Sequence, residues 1–152
     1  NVEPHKHALE AIRQADLIVI GPGSVYTSLI PNMLVPGIAQ AVRESHGFKV
    51  YVCNVMTQPG ESDSFSACEH VVAMQTNIKV RVFDQVLVNN ARPSDAAIEK
   101  YREVGQHFVE PDADRIRAMG FRVITGDFIS ESDFVRHDPM KVANKLMHMV
   151  DR

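Results

Sequence analysis

Leu17 to Pro31 read LIVIGPGSVYTSLIP. Four apolar residues run without a break into Gly-Pro-Gly, and hydroxyl side chains follow at Ser24, Tyr26, Thr27 and Ser28. An unbroken apolar run of strand length fits a strand covered on both faces, the habit of parallel sheets. Gly21 and Gly23 let the backbone turn sharply and approach a ligand without a Cβ in the way, and the hydroxyls offer neutral donors. Two readings are open here. If a helical turn begins near Ser24, its free N–H groups point at the same spot, and such an end attracts phosphate. Alternatively, the segment is a tight turn with Ser24 as a helix cap. It has neither the spacing of GxGxxG nor the lysine of a P-loop.

Outward from this stretch, helix and strand alternate. HKHALEAIRQA (5–15) puts Ala8, Leu9, Ile12 and Ala15 on one helical face. VPGIAQAVRESHG (35–47) reads as a helix with Pro36 near its first turn and Gly47 past its end. KVYVCN (49–54) is a second strand, and SACEHVVAMQ (66–75) a helix whose Ser66 and Glu69 have capping-box spacing. QVLVNN (85–90) is a third strand, stopped by Pro93. Ser94 or Asp95 caps AAIEKYREVG, which closes on Gly105, and Asp112 opens ADRIRAMG, which closes on Gly120. FRVIT (121–125) is a further strand, and Asp138-Pro139 opens MKVANKLMHMV, whose Val142, Leu146, Met149 and Val150 can face a core. This pattern predicts an α/β fold, a parallel sheet wrapped by helices with right-handed crossovers.

Composition narrows the class. A chain of 152 residues, 45% hydrophobic, suffices for one domain. With 23% charged residues and a net charge of -3, nothing points to nucleic acid or an acidic membrane as partner. No apolar run reaches the ~20 residues of a membrane span, and NVEPHKHALE is too polar for a signal peptide. The expected location is the cytoplasm. Cys53 and Cys68 have neither redox nor zinc-knuckle spacing and read as reduced thiols. The chain opens on Asn1 directly into a helix-like segment, which suggests part of a longer polypeptide.

In such sheets ligands bind beyond the carboxyl ends of the strands, which reduces the search to GPGSVYTS, NVMTQPGES and NNARPS. In the second, Asn54 stands where the strand should stop, and Thr57, Gln58 and Glu61 surround a Pro-Gly turn. Their amides and hydroxyls can read a sugar or base, or the segment is a solvated loop. Arg136 is suited to grip a phosphate or stack on a base, or else pairs with Asp133 or Asp138 on the surface. Tyr101 is a stacking residue or a core-edge aromatic. The histidines share no ligand spacing; His70, on the helix that starts right after the second loop, is a candidate polar contact or a helix histidine bonded to a neighbour, and His137 reads as a helix-entry residue rather than a base. Asp127 with Glu131 and Asp133 supplies candidate paired carboxylates, but no GxSxG elbow is present.

ADLIVIGPGSVYTSLIPNMLVPGIAQAV, VYVCNVMTQPGES and VRHDPMKVA, in that order, resemble the gluconeogenesis-factor family (YvcK/CofD-like proteins), related to 2-phospho-L-lactate transferase. The resemblance implies a Rossmann-like, three-layer α/β/α sheet, of which residues 1–152 form a single α/β domain or the C-terminal part of one CofD-like domain. The family's N-terminal glycine-rich loop does not occur in this sequence. GPGSVYTS and MTQPGES differ from the regulatory branch's GPGSLYTS and MTQPGET only at Val25 and Ser62. That branch is regarded as a regulator that binds UDP-sugars, notably UDP-N-acetylglucosamine, and supports gluconeogenic growth, wall synthesis and cell shape. Carried over, the likeness implies Gly21, Gly23, Ser24 and Thr27 at the diphosphate. Asn54, Thr57 and Gln58 would line the pocket, with Tyr101 and Arg136 at the nucleotide end. Pro22, Tyr26, Ser28, Met56, Gly60 and Glu61 complete the candidate set.

The expected function is therefore nucleotide-sugar binding by a regulator with no catalytic residue, no metal and no required cofactor. Its expected partners are the ligand, a second copy in a dimer, and regulatory proteins, with no nucleic acid and no membrane span. The alternative is a transferase using magnesium to move a phospholactyl unit onto a deazaflavin (F420) precursor. An NAD oxidoreductase is disfavoured because no GxGxxG with a downstream acid is present.

Overall fold

Four parallel strands lie side by side in chain order: β1 (Leu17–Ile20), β2 (Phe48–Val52), β3 (Gln85–Asn89) and β4 (Arg122–Gly126). They are seen in a computed structural model that describes residues 2–130 and 134–150. Leu17 sits beside Phe48, Val50 beside Gln85 and Gln85 beside Arg122, so the strands present their carboxyl ends at one edge. Because every crossover steps in the same direction, right-handed connections place their helices on one face. Here pack α1 (Lys6–Gln14), α2 (Ile30–Leu34), α3 (Ile38–Glu44), α4 (Ala67–Ile78) and α6 (Ala113–Ala118). Ile12, Ile30, Val42, Met74 and Ile116 from these helices meet Tyr51, Val86, Val88 and Val123 of the sheet.

Side-chain alternation sends Val50, Val52, Leu87 and Ile124 to the other face, where α7 (Pro139–Val150) covers them with Val142, Leu146 and Met149. The three-layer, Rossmann-like arrangement expected from the sequence is thus present. α5 (Asp95–Arg102) belongs to neither layer; Ala97 and Tyr101 join Val55, Ile129 and Val135 in a small cluster past the strand ends. That cluster also holds an antiparallel ribbon absent from the sequence reading, β5 (Ile129–Ser130) with β6 (Arg136–His137).

Local details depart from expectation in three places. Val19 of β1 remains 41% exposed, because β1 is an edge strand among the described residues and α7 does not reach it. The helix expected in 35–47 is present but shorter: Gly37 takes a left-handed conformation and α3 starts only at Ile38, so Pro36 stands before it, and a separate short helix, α2, precedes the segment with Pro31 in its first turn. Gly47 is no helix terminator. A Cβ there would stand 2.2 Å from the Ala15 carbonyl oxygen, so the residue is required by the close pass of the chain entering β2 under the end of α1. At α4 the capping box is complete: the Glu69 amide donates to Ser66 Oγ (3.3 Å) and the Ser66 amide to Glu69 Oε2 (2.6 Å).

Both cysteines are free and buried, and desolvation raises the Cys53 thiol to about 12. His70 is fully buried on α4, with Nδ1 donating to the Ser66 carbonyl (2.8 Å) and no partner at Nε2. It is the neighbour-bonded helix histidine anticipated, and burial pushes its pKa below the ordinary value.

Gly47→Ala should destabilise the protein by about 3 kcal/mol, since backbone faces backbone and neither can yield. Gly60→Ala, in open space but at φ +78°, should cost about 1 kcal/mol. Urea midpoints compare the two, and equal losses would refute the steric account. A neutral buried His70 also makes stability depend on pH. The unfolded chain binds the extra proton near pH about 6.5, so the contribution is complete above that value and is lost as pH falls toward the lower folded value. Urea midpoints should fall between pH 7 and 5, and His70→Gln should flatten the slope; an unchanged slope would exclude His70 as its source.

Candidate functional site

A cleft of about 590 Å³ opens at the carboxyl ends of β1 and β2. Pro22, Gly23 and Ser24 form one wall, Asn54, Met56 and Gln58 another, and Val135, Arg136 and His137 of the β6 segment lie across it. The first wall exists because Gly21 has φ +83° and no Cβ; a side chain there would stand 2.9 Å from the Val52 carbonyl oxygen. The Gly21–Pro22 peptide is cis. Asn54 then fixes the turn through both ends of its amide. Oδ1 accepts from the Gly23 amide (3.2 Å) and Nδ2 donates to the Gly23 carbonyl (3.0 Å). Ser24 caps a π-helical turn, Val25–Leu29, accepting from the Thr27 amide at 3.1 Å. Of the two readings of GPGS, the tight turn with Ser24 as helix cap is the one present; the cap lines the cleft, and the Gly23 and Thr27 amides are taken by Asn54 Oδ1 and Ser24 Oγ and are not free for an anion.

A second hollow of about 400 Å³ adjoins the first and shares Met56, Val135 and Arg136 with it. Lys100, Tyr101 and Phe134 line its far side. The Phe134 ring is half exposed, with Arg136 at 5.0 Å and Lys100 at 5.2 Å from its centroid. Arg136 has no carboxylate partner among the described residues, and Asp138 instead accepts from the Met140 and Lys141 amides at the start of α7. A guanidinium at the junction of two hollows, one with hydroxyl and amide groups and one with aromatic rings, is equipped to hold an anion. Burial pushes the His137 imidazole below its ordinary value, opposed by its contact with the Cys53 carbonyl.

A family model described as 2-phospho-L-lactate transferase CofD matches residues 1–129. The chain belongs to the CofD family. It is 44% identical over 152 residues to a putative gluconeogenesis factor of Aquifex aeolicus, covering 99% of this chain and 46% of that one. To the gluconeogenesis factor of Bacillus subtilis it is 40% identical over 150 residues, with 98% and 47% covered. The crystal structure of a UPF0052-family protein from Bacillus halodurans superposes with a TM-score of 0.92 at 43% identity, over 95% of this chain and 47% of that chain. The chain thus spans about half the length of the relatives it matches.

Within this CofD-family fold the candidate residues separate into groups. Pro22, Gly23, Ser24, Asn54, Met56, Gln58 and Arg136 line the first cleft, and Tyr101 lines the second hollow with its hydroxyl 3.4 Å from the Val135 carbonyl. Thr27 and Glu61 meet Ser24 at the cleft wall. Gly21 shapes the turn. Four others face elsewhere. Thr57 is buried, accepting from the His107 amide at 2.8 Å, because its loop is stitched to residues 107–109 by the Met56–Phe108 bridge. Tyr26 rests edge-on to Phe65, Ser28 gives its carbonyl to Asn32, and Gly60 bonds Asp63 in an exposed turn. Asn54, expected to read the ligand, has its amide engaged by Gly23 instead.

The two departures from the regulatory motifs are both accommodated: Val25 is buried, and the Ser62 hydroxyl accepts from the Gln58 amide at 2.9 Å. Asp127 pairs with Lys141 (2.7 Å), which holds its carboxyl below the ordinary value, while Glu131 and Asp133 lie outside the described residues. Among the described residues no group of three or more His, Cys, Asp or Glu could hold a metal ion, and no helix is long and apolar enough to cross a membrane. Phe134, Val135 and His137 were missed from sequence. The available signal was the sequence FVRH itself, two apolar residues leading into two polar ones before the Asp-Pro helix start.

Asn54→Ala removes both side-chain bonds and leaves the Gly23 amide and carbonyl unpaired at the cleft wall. The expected loss is about 2 kcal/mol in thermal unfolding, with faster amide exchange at Gly23. Unaltered exchange at Gly23 would show that the turn holds without the clamp.

Proposed function

We propose that the cleft binds the diphosphate of a nucleotide sugar of the UDP-N-acetylglucosamine type, and that the protein acts through binding and not catalysis. The observation that carries this reading is the pair of contiguous hollows meeting at Met56, Val135 and Arg136. One has the Ser24 hydroxyl and the Gln58 carboxamide at strand ends, the position where such sheets take nucleotides. The other offers Tyr101 and Phe134 for a base, at dimensions suited to a small ligand. Arg136, between them and with no carboxylate partner among the described residues, supports this reading as the group that would grip phosphoryl oxygens. Similarity to gluconeogenesis factors supports a role in gluconeogenic carbon metabolism; a link to wall synthesis and cell shape is part of the same proposal. A homodimer and regulatory protein partners belong to the same reading.

A phosphotransferase reading draws on the printed description of the matching family model. On that reading magnesium would be needed to position the donor and the attacking oxygen. Product formation from a phospholactyl donor and a deazaflavin acceptor would favour it over the regulator.

Calorimetric titration of the full polypeptide with UDP-N-acetylglucosamine tests the proposal. Binding is expected, and Arg136→Gln should weaken it at least about ten-fold, the scale of a charge-assisted hydrogen bond. Absence of heat and of competition at millimolar ligand would refute it.

A further inference from the structure

A carboxylate is seated on Ser24, one of the residues that wall the cleft. Glu61 lies 34 to 37 residues from Thr27 and Ser24 in sequence, yet Ser24 Oγ donates to its Oε2 and Thr27 Oγ1 to its Oε1 (3.1 Å). The two hydroxyls also touch each other. No Lys or Arg among the described residues pairs with this carboxylate. A carboxylate taking one hydroxyl on each oxygen makes the same demand as two non-bridging oxygens of a phosphoryl group. Glu61 rides on a tight turn: its own amide and that of Ser62 donate to the Gln58 carbonyl (3.1 and 3.0 Å), and the Gly60 amide donates to Asp63 Oδ2 (2.8 Å).

We propose that Glu61 is an internal stand-in for the ligand's phosphate, occupying the Ser24 and Thr27 hydroxyls until a diphosphate displaces it. This rests on the nucleotide-sugar reading and adds its regulation. Two anions cannot share two hydroxyl donors without strong repulsion. Ligand entry is therefore an exchange, and the turn that carries Glu61 moves as the carboxylate leaves. Occupancy of the cleft is in this way transmitted to the exposed Pro59–Gly60 tip, where a partner can read it.

The test titrates the full polypeptide, as wild type, Glu61→Gln and Glu61→Ala, with UDP-N-acetylglucosamine in calorimetry, with and without magnesium. Hydrogen exchange follows the Glu61 and Ser62 amides. Both variants should bind roughly ten-fold more tightly than wild type, the scale of releasing hydrogen bonds to a charged competitor. Ligand should also speed exchange at Glu61 and Ser62 in the wild type. Wild-type binding with both variants equal or weaker overturns the proposal. Magnesium-dependent binding that both variants lose would make Glu61 a cation ligand, which also overturns it. Silence of the wild type and both variants would instead remove the nucleotide-sugar reading beneath it.

Discussion

The two hydrogen bonds between the Asn54 side chain and the Gly23 backbone hold the site in its shape. β1 and β2 are paired only as far as Ile20 and Tyr51, after which the first chain turns at Gly21 and ladder bonding stops. A carboxamide has one donor face and one acceptor, the complement of a peptide unit. Asn54 therefore continues the pairing by one side chain where the backbone can no longer do so. The contact requires that the turn lie close against β2, which the missing Cβ of Gly21, 2.9 Å from the Val52 oxygen, allows. From this anchor follow the start of the helical turn at Ser24, the direction of its hydroxyl and the position of Thr27 one turn on.

The opposite wall has a topological cause. Crossovers that all step one way leave the second face of the sheet bare, and Val50, Val52 and Leu87 need a cover there. α7 supplies it, but the chain reaches α7 from the carboxyl end of β4 and must pass across the strand ends on its way. β5 and β6 are that passage, secured by Lys141, whose ammonium binds both Asp127 (2.7 Å) and the Ile129 carbonyl (2.9 Å). Arg136 and His137 thus lie over the cleft because covering the apolar face sends the chain that way.

Much of this was legible because it is local. The strand at 17–20, the capping box at Ser66 and Glu69, and the Ser94 cap are each specified by residues within a few positions of one another. Gly47 was misread for the opposite reason: helix termination is a local use of glycine, whereas its actual constraint comes from Ala15, far away in sequence. Asn54 and Thr57 show the same limit at the site. Their polar character at a strand end was visible, but the partners that engage them, Gly23 and His107, are set by tertiary packing. The β5–β6 ribbon, of two residues per strand, is too short to carry a period, and with it Phe134 and His137 escaped detection.

The charge arrangement of the cleft bears on what kind of binder it makes. On the nucleotide-sugar reading, a lysine-rich cradle would attract any phosphorylated metabolite, because a point charge imposes little geometry. Oriented hydroxyls and amides discriminate by position, and a carboxylate already seated on them raises the threshold for weak anions. Glu61 on Ser24 and Arg136 on the opposite wall bring both signs of charge to the cleft region instead of a uniform positive field. A ligand that places phosphate against the guanidinium and evicts the carboxylate exchanges one anion for another. What changes most is then not the total charge of the pocket but the position of the turn that bore Glu61, and a moved turn is a signal a second protein can recognise.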